Sequence, residues 1–178
     1  MTAESATASH APARAGEFST SYKIYLLALL VLVYVSNYTD RVLLGILLPS
    51  IKQEFNLSYI ELGLLNGTMF AIFYATLGIP IALYADRGNR KAVIVAATAV
   101  WSLMTALCAA TTNFWQLALA RIGVGVGEAG SGPPSHSIIA DLFSIKARST
   151  ALAIFSQGVS LGLVLGIYGG AQVAAHWV

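Results

Sequence analysis

Four ionisable side chains, Asp40, Arg41, Arg121 and Glu128, stand inside long apolar stretches of a 178-residue chain in which only 10% of residues are charged. At the centre of a lipid-embedded helix each such group costs about 2.5–3.5 kcal/mol on insertion scales, so all four must face a protein interior or a wet cavity. Two acids and two guanidiniums so placed offer two kinds of chemistry. The acids can take up and release a proton, and the arginines can hold an anionic head group or hold the acids themselves. A buried ion-pair set that only fixes helix register is the structural alternative.

Spacing assigns partners. Arg121 and Glu128, seven residues apart, return to one helix face about 10 Å apart along the axis. At that rise per residue Asp40 and Arg121 reach similar depths, about 24 and 20 Å from one edge, and Glu128 lies about 10 Å lower. An Asp40–Arg121 pair is expected. Glu128 is left as the acid without a first-choice partner, although a shift of the span limits by one turn brings Arg41 to it. Low dielectric favours the neutral form of a poorly paired carboxylate, so Glu128, with Asp40, is expected to carry a proton. Tyr34, Asn37 and Arg41 share one stripe at helical spacing, which reads either as lining of a substrate path or as interhelical hydrogen bonding. Asn66 has the same two readings.

The elements that must position these groups are helices in lipid. A mean hydropathy of +0.72 with 57% hydrophobic residues departs from the roughly half-apolar, quarter-charged mixture of soluble domains. A crossing needs about 20 apolar residues, and five segments qualify, at about 24–48, 59–84, 92–110, 114–140 and 150–173. The fold class is an all-α polytopic membrane protein. Arg14, Lys23, Arg87, Arg90, Lys91, Lys146 and Arg148 fall on one side against Lys52 on the other, which makes the N-terminus cytoplasmic. Residues 1–21, rich in Ala, Ser and Thr, read as a disordered tail in which His10 is solvated. Pro49 is expected to close the first span, and Ser58 with Glu61 has the capping-box pattern at the start of the second. Pro133 and Pro134 interrupt the fourth, and a helix broken at membrane depth needs protein or a cavity around it. The chain stops at Ala175-His176-Trp177-Val178, where a sixth span is expected to begin, with Trp177 suited to an interface.

Other signals are bland. Cys108 lacks a disulfide partner in the chain and reads as a small packed hydrophobe. His136 has no ligand-type neighbour at metal spacing, and no metal or cofactor is expected. Gly123, Gly125 and Gly127 alternate within a membrane span, without the preceding strand that a nucleotide loop needs. They read as close helix packing, as do Gly158, Gly162, Gly166 and Gly170 at every fourth position of the fifth span.

The loop Ala85-Asp86-Arg87-Gly88-Asn89-Arg90-Lys91 resembles the signature loop of the major facilitator superfamily, with Ala82 and Asn89 replacing its glycines and Tyr84 its leucine. Arg121-x-x-x-Gly125-x-Gly127 is similar to that superfamily's fourth-helix motif. The glycine repeat of span 5 matches its antiporter motif in part, because the proline is missing. Asn37-Tyr38-Thr39-Asp40-Arg41, Gly125-Val126-Gly127-Glu128-Ala129 and Ile139-Ala140-Asp141-Leu142-Phe143 with Arg148-Ser149 resemble the Spinster-like transporters. The resemblance implies five helices of a six-helix N-terminal half over 22–178, in a twelve-helix proton-coupled carrier of lysolipids or sphingoid lipids. It implies proton coupling at Asp40 and Glu128, substrate binding at Arg41, Arg121, Asn37 and Tyr34, and conformational gating at Asp86, Arg87, Arg90, Lys91 and Asp141. Its partners are then a small-molecule or lysolipid substrate, protons, membrane lipid and a C-terminal half, without nucleic acid, in a multi-pass cell membrane. Anion:cation symport of a small carboxylate is the alternative within the carriers, and a five-span membrane enzyme or scaffold the alternative outside them.

Overall fold

The computed structural model describes residues 18–177, except for the side chain of Trp177. His10, Arg14, Val178 and most of the 1–21 tail lie outside the described residues, as does the interfacial reading of the Trp177 ring. Among the described residues every regular element is a helix: α1 (Thr20–Phe55), α2 (Tyr59–Arg87), α3 (Arg90–Cys108), α4 (Phe114–Ala129), α5 (Gly132–Leu142) and α6 (Ile145–Trp177). Four of them, α1, α2, α3 and α6, are long and apolar enough to cross a membrane. Together α4 and α5 form the fifth crossing, broken in the middle.

Several helices start on a side-chain acceptor. The Ser19 hydroxyl accepts from the Tyr22 N–H, Asn89 from Ala92 and Asn113 from Gln116, each answering one of the four free N–H groups of a first turn. Ser58 and Glu61 form the full capping box read from their spacing. Because Ser19 caps α1, helix already begins within the segment read as tail.

One of two proline expectations is corrected. Pro49 does not close the first span: α1 runs on to Phe55. A proline removes one N–H and crowds the carbonyl four residues back, and here that residue is Gly45, which has no side chain to add to the crowding. The helix ends instead at Asn56, in the left-handed region at φ 52° and ψ 47°, its N–H returned to the Lys52 carbonyl. Pro133 and Pro134 do interrupt the fourth span: neither has an N–H for the carbonyl four residues back, that of Ala129 or Gly130. The helix breaks at Gly130 and Ser131, and the prolines sit in the first turn of α5, where a missing N–H costs nothing.

Packing divides the bundle into two slabs. α6 lies along α1, and α4 lies against both α2 and α3. In the first slab the glycine ladder of α6 presses on α1. A methyl group at Gly162 would stand 2.6 Å from the Val35 carbonyl oxygen, and one at Gly170 2.6 Å from Ile46. In the second, Gly123 and Gly127 face Met104 and Trp101 of α3, and Gly125 faces Phe70 of α2. Both glycine series thus make the close helix contacts that their spacing suggests. Two apolar clusters join the slabs. One unites Leu27, Leu30, Ile94, Ile139, Ala151 and Phe155; the other, at the opposite end, unites Leu57, Leu65, Phe114, Leu117 and Ala118.

Candidate functional site

Between these clusters α1 meets α4 through charge. Arg121 Nη1 donates to Asp40 Oδ2 at 3.0 Å, the pair that matching depths predict. Arg41 Nε donates to Glu128 Oε2 at 2.6 Å. The expectation of a poorly partnered Glu128 is therefore corrected for one oxygen: the long Arg41 side chain spans the difference in depth. The other oxygen, Oε1, is buried without a hydrogen-bond partner. Exposure is unequal across the pair, since the Glu128 side chain is 0% exposed and that of Arg41 29%.

Aromatic rings surround the guanidinium. Arg41 Cζ lies 4.7 Å from the Phe70 ring centre, 5.1 Å from Tyr74 and 5.2 Å from Tyr38, all within cation–π range. Sequence reasoning did not assign these three rings a role. The signal for two of them was Phe70 and Tyr74 at i,i+4 on the second span, which puts both rings on one helix face. A π-helical turn at Leu64–Thr68 precedes them, and it contains Asn66, which is exposed.

The remaining stripe residues are turned inward. Asn37 is 3% exposed and its Nδ2 has no partner. Tyr34 is half-buried, its ring stacked on Phe155 at 4.3 Å between centres. His136 meets the same Phe155 edge-on. Trp101 Nε1 and Arg121 Nε are also buried without partners.

At the end of the bundle where α2 turns into α3, Arg90 bonds Asp141 of α5 and lies 3.9 Å from Asp86. Arg87 and Lys91, also read as gating residues, are exposed. Asn89, a departure from the family pattern in sequence, is what caps α3 here. Arg148 donates to the Ala140 carbonyl at 2.6 Å, tying α6 to the negative end of α5. A recess of about 1410 Å³ lies between α1 and α3 and reaches this loop. It touches none of the four membrane charges, so volume and chemistry fall in different places, and chemistry marks the candidate site.

Residues 30–178 match the family model described as Major Facilitator Superfamily. The chain is 40% identical to an MFS-type efflux pump of Mycolicibacterium smegmatis, over 82% of its own length and 34% of the pump. It is 36% identical to human Protein spinster homolog 1 over 85% of its length and 30% of that protein. The crystal structure of a bacterial homologue of the human lysosomal transporter Spinster, inward-facing and occupied, superposes with a TM-score of 0.85 at 42% identity, covering 89% of this chain and 34% of that one. The chain thus spans about a third of the length of the proteins it matches.

Proposed function

This chain belongs to the major facilitator superfamily and is Spinster-like within it, and from that premise we propose that it supplies the proton-coupling helices of a secondary transporter for an amphipathic lysolipid or sphingoid lipid. A second helical half completes the carrier, and the two halves rock about a midplane site. The N-terminus faces the cytoplasm, and the membrane is the cell membrane. Human Protein spinster homolog 1 supports the lipid reading only through the Spinster-like resemblance of the motifs; the mycobacterial relative supports outward movement through its name, an efflux pump.

The observation that carries the coupling is the Arg41–Glu128 pair. A carboxylate with a 0% exposed side chain depends on its counter-charge, and neutralising it by protonation removes the reason for Arg41 to stay. The freed guanidinium can then meet an anionic head group. Asp40 and Arg121 hold the second acid in reserve, about two turns of α4 away from direct competition. A carboxylate pair with different surroundings suits sequential proton exchange.

The test places the assembled carrier in liposomes with an imposed proton gradient and labelled lysophospholipid, sphingoid base or a small sugar acid. Accumulation of either lipid against its gradient is expected. Glu128→Gln, which imitates the protonated acid, abolishes accumulation and leaves downhill exchange measurable. If that variant accumulates substrate with an unaltered pH profile, the proton travels elsewhere; if only the sugar acid accumulates, the carrier is a symporter of small carboxylates.

A further inference from the structure

We infer that Asn37 is the partner Glu128 takes when it is neutral, so that an amide–acid pair replaces the Arg41 ion pair during the cycle. This rests on the proton-coupling reading above and assigns it a second station. Ionised, Glu128 can only accept hydrogen bonds, and Arg41 Nε supplies one at Oε2. A proton added to Oε2 turns that oxygen into a donor and leaves Oε1 as a carbonyl acceptor. Arginine has no acceptor for the new O–H. A carboxamide has both functions: Nδ2 can donate to Oε1 while Oδ1 accepts from Oε2–H, which closes a ring of two hydrogen bonds.

Asn37 is placed for this. Nδ2 of Asn37 and Oε1 of Glu128 are a donor and an acceptor, both buried and both without partners. Asn37 stands four residues from Arg41 and three from Asp40, on the side of α1 that already meets α4 through two ion pairs. Along the axis it lies about 4.5 Å from Asp40 toward the depth of Glu128, which itself lies about 10.5 Å from Arg121. The two helices run antiparallel, and helical side chains lean toward the N-terminus of their own helix. Glu128 therefore leans toward the depth of Arg121, and Asn37 leans the opposite way, toward Glu128. Both leans shorten the axial gap between the two side chains.

The other named groups lack the side-by-side donor and acceptor of a carboxamide, as do the buried, unpartnered hydroxyls of Thr98 and Thr105 on α3, which offer one oxygen each. From α1 come Arg41, which only donates, Asp40, held by Arg121, and Tyr38, whose one hydroxyl oxygen cannot close a ring of two hydrogen bonds as a carboxamide does. From α2 comes Tyr74, over the guanidinium of Arg41. From α4 itself comes Arg121, held by Asp40, and from α5 His136, against Phe155 of α6. Trp101 of α3 packs by its backbone on Gly127, and its indole donates without accepting. The released Arg41 has aromatic partners at hand, since Phe70, Tyr74 and Tyr38 stand around its guanidinium.

The assembled carrier in lipid nanodiscs gives the test. Infrared difference spectra between neutral and acidic pH contain a carboxyl C=O band that Glu128→Gln removes. With Asn37 present this band is expected at the lower frequency of a hydrogen-bonded acid, and Asn37→Leu shifts it upward. Protein labelled with [15N]Asn and [13C]Glu reports the same contact without mutation: the Glu128 carboxyl carbon comes within about 4 Å of Asn37 Nδ2 at acidic pH, the reach of one hydrogen bond plus a C=O bond. A band that Asn37→Leu leaves in place, with no such contact on acidification, overturns the inference and leaves proton coupling at Glu128 standing. Absence of any Glu128 band wherever the protein stays folded overturns both.

Discussion

Asp40 and Arg41 are neighbours in sequence, so their side chains leave α1 about 100° apart, and that angle lets one helix serve two partners at two depths of α4. Removing one partner leaves the other charge buried, a loss of about 3–5 kcal/mol where the site is dry. Arg121, with a side chain 4% exposed, fits that case, so Arg121→Ala should lower the thermal unfolding midpoint in detergent steeply. Arg121→Gln combined with Asp40→Asn should recover much of the loss, because two neutral polar groups can bond each other. Equal midpoints for the single and double variants would mean that Asp40 is satisfied by something other than Arg121. The Asp40–Arg121 pairing was legible in the sequence because rise per residue alone fixes depth. The Arg41–Glu128 pair was legible only as the alternative that a one-turn shift allows, because rise per residue takes no account of a long side chain reaching along the helix, and two of the three rings around Arg41 come from a helix whose rotation no local pattern fixes.

At the scale of elements, the close approach of α6 to α1 depends on glycine. A methyl at Gly162 meets the Val35 carbonyl at 2.6 Å and Tyr38 Cβ at 2.7 Å, and these are backbone or near-backbone atoms that cannot swing away. Gly162→Ala should therefore destabilise by about 1–3 kcal/mol, the range for overpacking. Gly169→Ala is the control: nothing lies within 4 Å of that position, and the higher helix propensity of alanine should leave stability unchanged or raised by up to about 1 kcal/mol. Unfolding midpoints of the two variants, measured in the same detergent, check both signs. The glycine ladder was legible because a four-residue spacing is itself a statement about one helix face, whereas the helix limits were less readable. The Pro133–Pro134 pair does break its helix, one turn earlier at Gly130 and Ser131, whereas Pro49 does not, so a lone proline in the sequence does not decide a helix end.

For the whole molecule, the orientation proposed from the lysine and arginine count can be measured directly. In a Cys108→Ser background, Thr112→Cys and Ser144→Cys place single thiols in loops at opposite ends of the bundle. An impermeant thiol reagent added to intact cells should label the first and spare the second; the reverse pattern would invert the topology. The number of crossings was readable from hydropathy because lipid demands long apolar helices, but the division into two slabs was not, since it depends on which glycine faces which neighbour. That division has a kinetic meaning. Apolar clusters lie toward the two ends of α1, and between them Glu128 is sealed while Arg41 is partly open. On the proposed coupling a proton reaches the acid past the guanidinium, so the swing of Arg41 among its three rings scales the rate of arrival at any given pH. On that reading arginine acts as a turnstile, which scales the frequency of passage, while pH sets how many protons wait at it.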